Sequence, residues 1–184
     1  MIDAKPQSFI SEHVILENSN DVQNIVLKVG EHSVVNPRVR ISSQAGSGSN
    51  NSDKPPVLEV GDYTIISDNC SFEITPSLPV VIGNYTYIDP CVRVEPGVMI
   101  GDFCELGSGC VIGRKSRIGN NCKIAAGAKI DSNTTIPPRS VAMGKAGNIQ
   151  AAGGRGDDQR KREMKMHVDF LMRTMPLYSK AYPK

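Results

Sequence analysis

The sequence predicts an all-β solenoid, a parallel β-helix of six-residue units followed by a C-terminal α-helix. Three observations carry this. From Ile82 to Val141 an aliphatic residue returns every six positions, at Ile82, Ile88, Val94, Ile100, Leu106, Ile112, Ile118, Ile124, Ile130 and Ile136. The fifth position of each hexad is small throughout, from Thr86, Val92 and Val98 through Cys104, Cys110, Ser116 and Cys122 to Ala128, Thr134 and Ser140. The second position is often glycine, at Gly83, Gly101, Gly107, Gly113 and Gly119. So strict a period marks a repeat architecture.

Each hexad has a mechanical meaning. The β-branched residues favour extended backbone. Gly, Asn and Asp between them tolerate the positive φ of a bend. A hexad is therefore a short strand and a corner, and three corners close a triangle of about 18 residues. Successive triangles stack as parallel strands about 4.8 Å apart. Ile82, Ile100, Ile118 and Ile136 then form one inward column. The pattern resembles the hexapeptide-repeat superfamily. That resemblance implies a left-handed coil, although ordinary crossovers favour the right hand. It specifies fold far better than function.

The chain then reads in order. Ile10 and Leu16, with Val14 at a fifth position, form an imperfect first coil. Ile25 to Val29 leads into hexads at Val29, Val35 and Ile41. Residues 43–56, rich in Ser, Gly, Asn and Pro, interrupt the register and read as a projecting loop. Hexads resume at Val60, Ile66 and Phe72, and residues 75–79 form a shorter insertion. The solenoid thus spans residues 1–141, about six coils and on the order of 30 Å tall. Residues 142–157 read as a Gly/Ala-rich linker and residues 158–184 as the helix and tail. Asp157 or Asp158 suits the helix cap, and Pro176 is the expected stop. Met164, Val168, Leu171, Met172 and Met175 keep helical spacing. The helix packs back onto a prism face or binds a partner, and the two are compatible. Arg160, Lys161, Arg162 and Lys165 read as a solvated face.

Composition narrows the function. The 184 residues carry 21 basic and 19 acidic side chains, a net +2, which gives no reason to expect nucleic acid or an anionic membrane. The first residues hold no long apolar run, so neither a signal peptide nor a membrane span is expected. Of the five cysteines, Cys70, Cys104, Cys110 and Cys122 take fifth positions and Cys91 a fourth, which reads as buried or corner thiols in a reducing cytoplasm.

Acyltransferases and zinc carbonic anhydrases occur in the hexapeptide superfamily, and resemblance to either implies histidines on the coils. Here the histidines are His13, His32 and His167, with none between Ser33 and Met166. The carboxylates Asp89, Glu95, Asp102, Glu105 and Asp131 do not obviously converge. The expectation is a non-catalytic scaffold with no catalytic residue, metal or cofactor. Its open ends and flat faces would dock other chains.

The tail sharpens this. His167 to Tyr178, above all Asp169-Phe-Leu-Met172 and Pro176-x-Tyr178, closely resembles the C-terminal helix of the dynactin subunit 6 family. Ser33-Val-Val-Asn-Pro-Arg38, the insertion after the first coils and Ile66 to Glu73 agree with it. The resemblance implies a structural subunit of the dynactin pointed-end complex, in the cytoplasm and cytoskeleton. Its partners would be dynactin subunit 5, dynactin subunit 4, the pointed-end actin-related protein and, indirectly, dynein cargo adaptors in microtubule-based transport. Partner-binding residues are expected at Met164, Val168, Phe170, Leu171, Met172, Met175 and Tyr178. The alternatives are an acyltransferase or anhydrase-like enzyme, the paralogous subunit 5, and an unrelated homotrimeric hexapeptide protein.

Overall fold

The computed structural model describes residues 1–18, 25–43, 55–144, 148–151 and 157–181. Short strands wind into a left-handed parallel β-solenoid of about 6 turns with one C-terminal helix. Three sheets form the faces of a triangular prism. The first face has 7 strands, the second 8 and the third 6. Every pairing between successive coils is parallel, as the hexad geometry requires.

The register is the one the period predicts. Ile82 pairs with Ile100, Ile100 with Ile118, and Ile118 with Ile136 along the first face. On the second face Ile10, Val35, Ile66, Ile88, Leu106, Ile124 and Ala142 succeed one another. On the third the column is Leu16, Ile41, Phe72, Val94, Ile112 and Ile130. These columns meet inside the prism as one continuous apolar core. Cys70, Cys104, Cys110 and Cys122 are buried and Cys91 is exposed.

Strand Arg40–Ser43 leads into the long insertion and Val57–Val60 follows it; residues 44–54 lie outside the described residues. The 75–79 insertion is a tight turn in which Thr75 and Leu78 exchange backbone hydrogen bonds of 3.4 and 3.1 Å. Residues 142–157 hold more than a linker. Strand Ser140–Met143 runs past the expected boundary at 141, and Asn148–Ala151 returns antiparallel to it. Gly144, at φ 71°, begins the reversal. The helix spans Asp157–Ala181, so Pro176 does not stop it. Proline removes one backbone donor, a loss that neighbouring helical bonds can outlast.

Ile118 is 3% exposed between Ile100 and Ile136. A carboxylate there has no partner, so Ile118→Asp should cost about 4 kcal/mol or more and unfold at least the central coils. Near-native melting of that variant, followed by circular dichroism, would refute the inward placement.

Candidate functional site

The corner joining the first face to the second repeats one set of side-chain contacts from coil to coil. Its third-position side chains accept hydrogen bonds from the coil below. Asp62 Oδ1 accepts from the Glu31 amide at 2.8 Å, Asn84 Oδ1 from Asp62 at 2.7 Å, Asp102 Oδ1 from Asn84 at 2.7 Å, and Asn120 Oδ1 from Asp102 at 3.0 Å. The fifth positions donate to the coil above. Ser33, Thr64 and Thr86 hydroxyls reach the carbonyls of Gly61, Gly83 and Gly101 at 2.7, 2.8 and 3.0 Å. The Cys104 and Cys122 thiols continue the series to Gly119 and Pro137 at 3.1 and 3.0 Å.

Between these rungs the fourth positions adopt left-handed backbone, with φ of 53° at His32, Tyr63 and Tyr85 and 59° at Phe103. That conformation turns their side chains out of the corner, where the rings stack. Centroid distances are 4.6 Å from His32 to Tyr63, 5.0 Å from Tyr63 to Tyr85, and 5.1 Å from Tyr85 to Phe103. Such stacks contribute about 0.5–1.5 kcal/mol per pair. This ladder is absent from the sequence reading. Its signal was a fourth-position aromatic in successive coils, disguised because insertions stretch the spacing.

The C-terminal helix lies across this corner and the second face. Val168 is fully buried against Val34 and Ile65, with Phe9, Tyr87, Met164, Leu171 and Met172 packed around them. Burying one such valine contributes about 1.5–3 kcal/mol. The basic run is partly engaged: Arg160 and Lys161 are half-buried, whereas Arg162 and Lys165 are exposed as expected. Arg160 Nη1 donates to the Phe103 carbonyl at 2.5 Å, and its Nε is buried without a hydrogen-bond partner. Lys161 Nζ lies 5.7 Å from the Phe103 ring and Lys165 Nζ 5.2 Å from the Tyr63 ring, within cation–π range. The His167 ring tilts at 43° against Tyr87, 5.3 Å away. A cleft between helix and prism is lined by Tyr85, Tyr87, Glu105, Arg160, Glu163 and His167, among others.

The expected interface residues divide accordingly. Val168 is buried, and Met164, Leu171 and Met172 are half-buried against the prism. Phe170 faces outward, 63% exposed, beside Met166 at 66%. The side chains of Met175 and Tyr178 lie outside the described residues. The carboxylates stay apart: Asp102 serves the corner, Glu95 accepts from the Arg114 amide at 2.8 Å, and Glu105 pairs with Lys123 at 2.8 Å. Among the described residues no three His, Cys, Asp or Glu side chains are grouped to hold a metal ion. Among the described residues no helix is long and apolar enough to cross a membrane.

Comparison with known proteins agrees with this geometry. The family described as bacterial transferase hexapeptide (six repeats) matches residues 79–114. No curated protein matches the sequence. Among solved structures, the product of the Bacillus cereus BC4754 gene, designated an acetyltransferase, is 20% identical. It aligns over 98% of this chain and 93% of its own, with a TM-score of 0.69. A hexapeptide transferase family protein of Anaplasma phagocytophilum is 12% identical over 99% and 97%, TM-score 0.58. The AntD N-acyltransferase of Bacillus cereus, solved with coenzyme A and dTDP-4-amino-4,6-dideoxyglucose, is 10% identical over 91% of each chain, TM-score 0.62. By fold this is a hexapeptide-repeat β-helix. The expectation of a chain without catalytic activity is overturned. Solved structures that share its fold over nearly its whole length include proteins named as an acetyltransferase and an N-acyltransferase, so the scarcity of histidines on the coils does not exclude catalysis.

One prediction concerns this corner, and a second concerns the buried thiols of the corner between the second and third faces. A Cβ on Gly83 would stand 2.6 Å from the Gly101 carbonyl carbon and 2.7 Å from its oxygen, both backbone atoms that cannot rotate away. Gly83→Ala should lower stability by about 1–3 kcal/mol, read from the urea midpoint; an unchanged midpoint would show that the coils part easily. Burial pushes the Cys70 and Cys110 thiols from an ordinary value near 9 up to about 12. A raised thiol pKa favours the folded state fully below pH 9, and that contribution is lost as pH climbs from 9 towards 12. The melting temperature should fall across that window, and less steeply in a Cys70→Ala, Cys110→Ala variant. Alanine already fills the buried fifth position at Ala128. Identical slopes would refute the assignment.

Proposed function

We propose that this chain acts as a light subunit of the dynactin pointed-end complex, of the subunit 6 kind. It would pair with dynactin subunit 5 and sit beside dynactin subunit 4 and the pointed-end actin-related protein, in support of dynein-driven transport. The observation that supports this reading is the tail. The run Asp169-Phe-Leu-Met172 lies on a helix seated along the second face, with Val168, Leu171 and Met172 turned to the prism. Asp169, Met166 and Phe170 are left on the outer surface. A docking helix held this way presents a fixed outer surface instead of a free peptide.

The comparisons favour a second reading, acyl transfer. It rests on the full-length likeness to proteins named as acetyl- and N-acyltransferases, one of them solved with coenzyme A. In that reading His167, against Tyr87 in the helix–prism cleft, is the imidazole placed beside a cavity.

Affinity purification of the chain from its source cells should bring down actin-related proteins. Leu171→Asp should release the helix, reduce that recovery severalfold and leave the prism's melting transition in place. Purification without any actin-related protein would defeat the dynactin reading. Saturable binding of acetyl-coenzyme A in calorimetry would support acyl transfer.

A further inference from the structure

The two ends of the prism are finished differently. At the C-terminal end, Asn148–Ala151 pairs antiparallel with Ser140–Met143, and Ile149 packs against the core. The last inward residues there, Ile130, Ile136 and Ala142, are only 5%, 1% and 1% exposed. At the N-terminal end the inward residues of the first coil are Ile2, Ile10 and Leu16. They stand in register with the buried Leu27, Val35 and Ile41. No further rung covers them among the described residues: Ile2 is 50% exposed, Leu16 37%, and Ile10 half-buried.

The backbone is open at the same place. The three first-coil strands, Ile2–Ala4, Phe9–Ile10 and Ile15–Asn18, each end a sheet, with a partner on one side only. The amides of Phe9, Ser11 and Ile15 donate into the prism, to Ser33, Val35 and Val39. A parallel strand uses alternate residues towards each neighbour, so Ile10 and Leu16 turn their N–H and C=O groups outward. An open solenoid end that is both apolar and unpaired needs a cover.

The geometry points to this end as an interaction surface for the terminal coil of another β-helical chain. The reason is shape. Three short edges lie on the sides of one triangle around an apolar centre. A single extended peptide pairs one side and leaves the centre wet. A second triangular coil pairs all three sides and covers Ile2, Ile10 and Leu16 together. A coil that continues the parallel ladders must present the C-terminal end of its own prism. In this chain the second-face edge of that end is already taken by Asn148–Ala151 and its inward residues are buried, so a coil that pairs all three sides comes from a different chain. The inference rests on the proposed pairing with a second β-helical subunit and assigns that pairing to the prism end, not to a side face.

The test mixes the purified full chain with dynactin subunit 5. Sedimentation velocity measures the complex, and hydrogen exchange follows the first-coil amides. The double variant Ile2→Asp, Leu16→Asp alters side chains already partly in water, so its melting should stay near native, while binding should fall about tenfold or more. Arg117→Glu, on the side of the first face, should bind as the parent does. In the parent complex the Ile10 and Leu16 amides should become protected, a readout that survives even if the double variant misfolds. A complex that forms with those amides unprotected, or with the double variant binding normally, overturns the end assignment and leaves the pairing intact. Absence of any complex with the parent chain defeats the pairing itself. A dimer of this chain alone, dissolved by the double variant, assigns the end to a second copy and also overturns the proposal.

Discussion

The fixed step from one coil to the next at the first corner is the constraint on which the rest depends. Each rung there joins four positions to the neighbouring coil. A side-chain oxygen accepts a backbone amide, a hydroxyl or thiol donates to a carbonyl, a left-handed residue stacks its ring, and a glycine lets the backbones meet. None of these bonds is worth more than about 0.5–1.5 kcal/mol net. Their force lies in sharing one register. A slip of one residue would turn every inward isoleucine to solvent, while burial of each such side chain contributes about 1.5–3 kcal/mol. The apolar columns supply the larger energy and the corner decides which alignment receives it.

The helix follows from the same corner. Because the fourth positions carry left-handed backbone, their rings leave the prism and form a ridge beside the second face. The basic half of the helix meets that ridge, and its apolar stripe meets Val34 and Ile65. Exposed cation–π contacts give about 0.5–1 kcal/mol each, less than the burial of Val168 alone. The apolar stripe therefore holds the helix, and Arg160, Lys161 and Lys165 fix where along the prism it sits.

Much of this was legible because a period repeats its evidence. A single isoleucine says little, but a column of them fixes strand, face and neighbour at once. The aromatic ladder was as periodic yet escaped notice, since the insertions at 43–56 and 75–79 separate His32 from Tyr63 and Tyr63 from Tyr85 by more than one coil's length of sequence. Asn148–Ala151 was hidden for a different reason. Its strand character comes from pairing with Ser140–Met143, and nothing in a Gly/Ala-rich segment announces a tertiary partner. Pro176 misled because the rule concerns one backbone donor, and the 25-residue helix continues past it. The missing histidines decide nothing about catalysis, because a fold does not fix chemistry.

The sides and the ends of the prism differ in what they leave unsatisfied. On the first face Lys28 pairs with Glu59 at 2.7 Å, and on the third Arg40 pairs with Glu17 at 3.3 Å. Those pairs are half in water and contribute between nothing and about 1 kcal/mol, so a neighbour that displaces them gains little. The second face has already buried its apolar half under the helix. At the open end, by contrast, the ladders stop while the core is still apolar, and each added strand recovers both hydrogen bonds and buried area. A solenoid coil has no core until another coil lies on it, and the first coil here has one neighbour where every interior coil has two. The incompleteness is built into the repeat itself. A returning strand on one end, and no further rung on the first coil among the described residues, make the two ends chemically unlike, and unlike ends would give an assembly a direction.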